Sequence, residues 1–522
     1  MKDQVKNNRI YIVFTWCGLL FFCLWGLVNT FYGRIHVDEG FYFVTPYLVF
    51  QGAVPYGDFI YTQAPLHSYI YQLLYLFKSQ PDYWLSRFFS LCLGFSAIVL
   101  GIDIARRYSH WLGAAIAAGL LCFNGFQTYF FSISKLYPLT GFILTLGIWL
   151  GLQAGGSLWR TVLASFVIAL SACIRISMFP AAGVFLIILL ARDGIKSRLF
   201  WGGLLITIMT WAVIIGPFYL KYNEQFTYSV LLYNFAKDVH PLWMAIMLRA
   251  DVMSKLAHEY FLFFLILAAL GIVAFYIFGQ EYGHSFRKFY TALKKAEWFR
   301  LYLWGTIGAL TALQAVSKSG VVDEYLTPLF PLAAAVVAIE CVTVLRYLNR
   351  QQVSGFFFAV FTLGCLLNFA AYGRSALTLM DGKSPIVYLD EVAAYIKQVT
   401  QEEDSILSYN NALVIMADRT IVKGYEMHCA TYDPRWDDER CQKFRILSLS
   451  RIELMLKNQE IKMVIMSENA FIGRFPDFYN PGETQMRDTM LAILEQHYDK
   501  VKHFPELGYF NTDVDIYLAK SN

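Results

Sequence analysis

The sequence predicts an α-helical protein that crosses a membrane about eleven times and ends in a small α/β domain. Three observations carry this. The 522 residues are 57% hydrophobic and only 16% charged, more apolar matter than one water-soluble core buries. Long apolar runs recur along the first 373 residues, and from Gly373 onward polar and charged residues return at ordinary frequency. That shift divides the chain into a membrane domain, 1–373, and a soluble domain, 374–522.

The first run, Ile10 to Tyr32, matches a hydrocarbon core of roughly 30 Å and lacks a small-residue cleavage site, so it reads as a retained span. Further runs lie near 84–105, 111–130, 138–154, 161–174, 178–191, 200–218, 259–279, 299–316, 325–345 and 353–373. The two runs flanking Arg175 also fit one kinked unit, which leaves the count open by about two. With a cytoplasmic N-terminus, alternate loops gather Lys2, Lys6 and Arg9, then Arg106 and Arg107, then Arg160, then Arg192, Lys196 and Arg198. The opposite face carries Asp38, Glu39, Asp58 and Asp82 in loop 33–83, the asymmetry of the positive-inside rule. An odd count of spans places the C-terminal domain outside, on the face of that loop. There, 390–400 has helical spacing, and SILSY (405–409), MVIM (463–466) and VDIYLAK (514–520) read as strands.

The net charge of +4 is spread over short loops, which argues against nucleic acid. Seven of the nine cysteines sit in apolar runs as packing residues. Cys429 and Cys441 fall in polar sequence and would suit a disulfide in an oxidising compartment, but sequence cannot fix their separation.

The richest stretch is HVDEGFYFVTPYLVFQGAVPYGDFIYTQAPLH, 36–67. Asp38 and Glu39 stand beside the bilayer at the start of an aromatic helix that Gly52 ends, and Pro55, Gly57 and Asp58 turn the chain. Adjacent helical residues point about 100° apart, so the two carboxylates do not face one substrate equally. At a helix start the backbone dipole favours an ionised Asp38, available as a proton acceptor, although an acidic cap without chemistry has the same sequence.

The order of this stretch, DE, an aromatic helix ending in Gly, VPYGDF, the aromatic Tyr61, then PLH, resembles the first outer loop of the GT-C membrane glycosyltransferases. It is most similar in feel to the protein O-mannosyltransferases and the aminoarabinose transferases of lipid A. The likeness in detail is confined to 36–70, while span count, loop and outer domain fit the whole architecture. It implies transfer of a sugar from a polyprenyl-phosphate carrier, with inversion, to a glycan, lipid or protein hydroxyl. Asp38 matches the catalytic aspartate and Glu39 would orient the loop or the acceptor. Where the aminoarabinose transferase has a metal-holding glutamate this chain has Gln63 and Ala64, which weakens the case for the same metal. No cofactor is certain; a magnesium or manganese ion on Asp38 and Asp58 stays open.

A departing phosphate needs positive charge. Candidates on the same face are Lys135, followed by Tyr137, then Arg175 inside an apolar hairpin, and Lys318 ahead of the tenth span. His67 could bind acceptor, phosphate or metal, though a lone interfacial histidine is commonly structural. The long outer loop from Tyr219 to His258, which contains HPLW at 240–243, is expected over the cavity entrance, touching acceptor or carrier or serving equally as a structural cover. A DxD pattern at Asp513 and Asp515 lies on the wrong face for nucleotide-sugars. The rival class is a secondary transporter or flippase, which usually shows repeats and broken helices that this sequence lacks. Compact loops point to a bacterial plasma membrane, with membrane lipids as surroundings.

Overall fold

The computed structural model describes residues 2–233, 242–282, 297–316, 323–347, 351–374, 376–427, 436–467 and 481–520. Lys318 and Cys429 lie outside them, as do the first two residues of HPLW. Each of the eleven apolar runs is helical. In chain order the first helices are α1 (Lys2–Tyr32), α2 (Glu39–Phe50), α3 (Leu66–Tyr71), α4 (Tyr83–Cys122), α5 (Gly125–Phe130), α6 (Leu136–Leu152), α7 (Leu158–Ile174), α8 (Phe179–Asp193) and α9 (Arg198–Ile214). Later come Leu242–Glu259, Phe261–Tyr282, Trp298–Val316, Phe330–Tyr347 and Gln351–Tyr372.

The long α4 folds back on itself. Gly26 of α1 lies against Leu91, and Gly18 lies against Cys122 and Ala118. On a straight helix Leu91 and Cys122 would be roughly 45 Å apart, whereas Gly18 and Gly26 are separated by roughly 12 Å. The reversal falls at Ser109 and His110, whose backbone leaves the helical region, His110 with φ 60°. The runs near 84–105 and 111–130 are thus the two arms of one hairpin. Arg175, extended at φ −139° and ψ 111°, similarly separates α7 from α8.

Span length tells a more restrained story than the eleven runs. Among the described residues four helices are long and apolar enough to cross a membrane, counting Tyr83–Cys122 once, or five if the bent pair Arg249–Glu259 and Phe261–Ile272 is one span. The helices 136–152, 158–174, 198–214 and 355–371 are apolar but shorter. A helix of 17 residues, such as α6, reaches roughly 25 Å, so it crosses only where the bilayer thins or its polar ends reach the interface.

The C-terminal residues build a five-stranded sheet in the order β2-β1-β3-β5-β4. Its strands are β1 (Ser405–Ser408), β2 (Thr420–Ile421), β3 (Met463–Ser467), β4 (Tyr498–Phe504) and β5 (Val514–Ala519). β2, β1 and β3 are parallel, while β5 and β4 run antiparallel. β3 is buried along its whole length, as a central strand covered on both faces requires. The helix expected over 390–400 begins earlier, at Pro385, because Ser384 accepts the Val387 N–H and Pro385 occupies the first turn. The DxD carboxylates are engaged within the sheet. Asp515 bonds His503 at 2.8 Å and Lys500 at 2.8 Å, and Asp513 accepts the Glu506 N–H.

The sheet domain docks on the acidic loop. Arg445 donates to the Gly57 carbonyl at 2.9 Å. Asn410, which caps the helix Asn411–Met416, sits so close to Gly40 that a Cβ there would lie 2.2 Å from its Oδ1. Nine of the twelve residues of α2 are buried, so this aromatic helix is sandwiched beneath the sheet domain rather than laid bare along a membrane.

Candidate functional site

Asp38 is the N-cap residue of α2, as its place in the sequence predicts, but its side chain caps nothing. It turns instead toward Lys135, whose Nζ lies 3.1 Å from Asp38 Oδ2. The same ammonium donates to Glu324 Oε1 at 2.6 Å and stands 3.2 Å from His36 Nδ1. His36 Nδ1 also accepts the Asp38 N–H at 3.2 Å, and its Nε2 is 2.9 Å from Glu324 Oε2. A nitrogen that accepts carries no proton, so Nε2 holds the hydrogen and donates it to Glu324. Tyr137 closes the group by donating to Glu324 Oε1 at 2.8 Å.

Lys135 is fully buried, over the rings of Tyr137 at 4.9 Å and Phe130 at 5.6 Å. Asp38 differs from these neighbours: its side chain is 44% exposed, ringed by protein yet reached by water. Burial pushes its carboxyl up, but its neighbours together, the Lys135 ammonium foremost through charge and hydrogen bond, hold it below the ordinary value. Burial likewise pulls the Lys135 ammonium down, and Glu324 and Asp38 more than restore it. Above Asp38, burial raises the Tyr42 hydroxyl well beyond its usual range, followed by the charge of Asp38 itself.

Glu39 does something else. It is fully buried, and Arg87 grips it with two bonds, Nε to Oε1 at 2.6 Å and an NH2 nitrogen to Oε2 at 2.7 Å. The Ser134 N–H adds a third bond at 2.9 Å. Arg87 also donates to the carbonyls of Gly33 at 2.9 Å and Arg34 at 3.0 Å, which follow the end of α1, where unpaired carbonyls attract a cation. One guanidinium thus ties α1, α4 and the loop together, and Glu39 links that knot to Ser134, the residue before Lys135.

Arg175 lies 4.5 Å from the Tyr325 ring centre and 5.5 Å from that of Tyr137. Among the described residues its guanidinium makes one hydrogen bond, to the Tyr325 carbonyl at 3.2 Å, and it acts electrostatically on Tyr42. Tyr42, on which Arg175 acts, also feels the charge of Asp38.

The other predicted residues fall away from this cluster. Asp58 is exposed and accepts the Val54 N–H of its own turn at 2.7 Å. Its charge acts on Glu426, whereas the charges of Lys135 and Glu324 act on Asp38. Asp38 and Asp58 thus have different neighbours. His67 is fully buried, stacked on Tyr71 at 4.4 Å, with Nε2 lacking any partner, and burial lowers it to about 3. Tyr61, also fully buried, stacks on Phe41 and stands 3.5 Å from His67, which makes it a wall behind Tyr42. An open apolar groove lined by Trp159, Val162, Phe166 and Ile206 contains none of these residues. It is an apolar gap between α7 and α9 suited to lipid tails.

His36, Arg87, Glu324 and Tyr325 escape sequence reasoning. Arg87 and Glu324 carry a usable signal, a charge at the edge of an apolar run, but nothing in the sequence pairs them with their partners. A metal of the kind such sites hold has no fitting cage: among the described residues no group of three His, Cys, Asp or Glu is arranged for one. The donors nearest Asp38 are turned on Lys135.

No protein-family model matches the chain, and no curated protein matches it. Solved structures do. The aminoarabinose transferase ArnT from Cupriavidus metallidurans, bound to undecaprenyl phosphate, superposes with a TM-score of 0.60 over 97% of both chains at 15% identity. The oligosaccharyltransferase AglB from Archaeoglobus fulgidus, with an inhibitory peptide and a dolichol-phosphate, has a TM-score of 0.57 over 98% of this chain and 74% of its own at 11% identity. The same archaeal enzyme with Zn and sulfate gives 0.51 at 12% identity. At these identities the likeness is one of fold, which the chain shares with ArnT and with AglB.

Proposed function

We propose that this chain is a glycosyltransferase that moves a sugar from a polyprenyl-phosphate carrier to an acceptor hydroxyl, with inversion at the anomeric carbon. One observation carries the reading: Asp38 is the solvent-reached carboxylate of an otherwise buried charge cluster, ionised and rigidly held. Fold neighbours solved with undecaprenyl phosphate and dolichol-phosphate support the class of donor.

In the reaction the acceptor O–H gives its proton to the Asp38 carboxylate as its oxygen attacks the anomeric carbon. The bond from that carbon to the phosphate oxygen breaks, and the carrier leaves as a phosphate monoester. Because that leaving group is stable, the site supplies charge rather than a proton, and Arg175 with its unengaged donors takes this role. All three N–H bonds of Lys135 have partners within the cluster, so it acts by fixing Asp38 and not by holding phosphate. Glu39 and Arg87 hold the loop that presents Asp38. Tyr42 and Tyr325 wall the sugar pocket.

The loop and the sheet domain share one face, and we assign that face to the outside of a bacterial plasma membrane, with the domain boundary at Gly373. Lys318, which lies outside the described residues, keeps in this reading its expected role as a further cation for the carrier phosphate. The test compares envelope glycans by mass spectrometry in cells with the wild-type chain, without it, and with Asp38→Asn. A mass difference of one sugar unit should vanish without the chain and stay absent with Asp38→Asn, a loss of about 100-fold or more in rate. Full transfer by a folded Asp38→Asn protein refutes the assignment, as does movement of a glycolipid across sealed vesicles with no new glycosidic bond.

A further inference from the structure

We propose that the Lys135 ammonium is the built-in cation of this site, occupying the point where His36, Asp38 and Glu324 converge, so that transfer by this chain needs no divalent metal. The proposal rests on the transferase reading for its kinetic half only.

Two segments far apart in sequence, 36–38 and 324, bring one imidazole and two carboxylates to a single point. Two carboxylate oxygens and a histidine nitrogen are by type a donor set that zinc or manganese accepts, although among the described residues they are not spaced as a metal cage. The point is filled by an ammonium on a side chain with no exposure at all. An ammonium has three N–H bonds, and here each has one partner, at 2.6, 3.1 and 3.2 Å. Metal bonds to the same atoms run about 2.0–2.2 Å, so the donors stand at ammonium spacing.

The charges agree with this. Asp38 and Glu324 together carry two negative charges that burial would make costly, and Lys135 neutralises one while Arg175 stands beside Tyr137, which itself bonds Glu324. A divalent ion entering the cluster would meet the ammonium as a like charge. The rings of Phe130 and Tyr137 give the ammonium a second reason to stay, because their faces attract a cation. The backbone fixes the anchor as well. Lys135 is extended at φ −127° just before α6, and Ser134 is bonded to Glu39, so the lysine is set by the same knot that sets Asp38. Lys135 is therefore a positioning residue: it holds Asp38 ionised and aimed, the role that a bound ion would otherwise have.

The test reads binding of Mn²⁺ alone to the purified full chain by the loss of its free-ion electron paramagnetic resonance signal. Wild type should take up no stoichiometric Mn²⁺, and one ion per chain that disappears with Asp38→Asn overturns the proposal. Lys135→Ala removes the ammonium from these three atoms and should gain a site at least tenfold tighter than wild type, abolished when Glu324→Gln is added. A folded Lys135→Ala protein with no gain also overturns it. If that variant does not fold, the wild-type titration decides. In the transfer assay, EDTA should leave the wild-type rate within about twofold, and a rate lost with EDTA and restored by Mn²⁺ refutes the kinetic half. Absence of transfer under every condition would instead count against the transferase reading, and the Mn²⁺ titrations would still judge Lys135.

Discussion

Glu39→Gln probes how Asp38 is held, because it neutralises one member of a fully buried ion pair and leaves the other charged. Breaking a buried pair from one side costs about 3–5 kcal/mol. Arg87 keeps the carbonyls of Gly33 and Arg34, and the new amide oxygen still accepts one N–H, so the low end, about 3 kcal/mol, applies. Unfolding entropy near 2 cal/mol/K per residue, spread over 522 residues, gives about 1 kcal/mol/K, which makes the loss roughly 3 °C in melting temperature. The assay is a thermal melt followed by tryptophan fluorescence for wild type, Glu39→Gln, Arg87→Met and the double variant. Removing both charges leaves no charge unpaired, although the Gly33 and Arg34 carbonyls lose their donor, so the double variant should melt well above the sum of the single losses, with a coupling of at least about 2 kcal/mol. Strict additivity, or a Glu39→Gln protein that melts like wild type, would refute the knot. Transfer should fall in the same variant because Asp38 is the adjoining residue.

Asp38 is depressed below its ordinary value near 3.8, so its ionised form and the stability of its pair with Lys135 persist above that value and vanish only as pH falls through the lowered one. Transfer should therefore show no acid limb between about pH 5 and 7, and a limb in that window would remove Asp38 as the proton acceptor. His67→Phe should leave transfer within about twofold and the melt unchanged or raised, since this neutral, partly unpartnered imidazole is replaced by a ring of similar stacking; a large loss in transfer would return His67 to the site. Gly40→Ala drives a methyl into Asn410 and should displace that cap, costing about 1 kcal/mol, with the further change Asn410→Ala relieving the clash in the melt.

Much of the site's setting is legible in residue order. Gly52 at φ +91° ends α2 where the sequence places the stop, because only glycine turns there without strain. Asp38 at the start of an aromatic helix, Lys135 before Tyr137 and Arg175 between two apolar helices are each visible as charges where a charge is costly. Asp58 and His67 show the limit. A carboxylate beside Pro and Gly reads the same whether it binds an ion or its own turn, and a histidine reads the same whether buried or poised. β2 and β4 went unread for a related reason: β2 is two residues long, and β4 exposes most of its side chains.

The sequence by itself determined the helical membrane architecture, the change of composition at the last third and the segment that carries Asp38, because these depend on local hydropathy and on glycine and proline at fixed places. Tertiary structure alone decided which charges meet. Glu39 with Arg87 and Asp38 with Lys135, His36 and Glu324 are pairings across separate helices, fixed by how those helices pack. Neighbouring carboxylates one residue apart thereby acquire opposite fates, one sealed in a structural knot and one open to water, since a helix sends successive side chains in different directions.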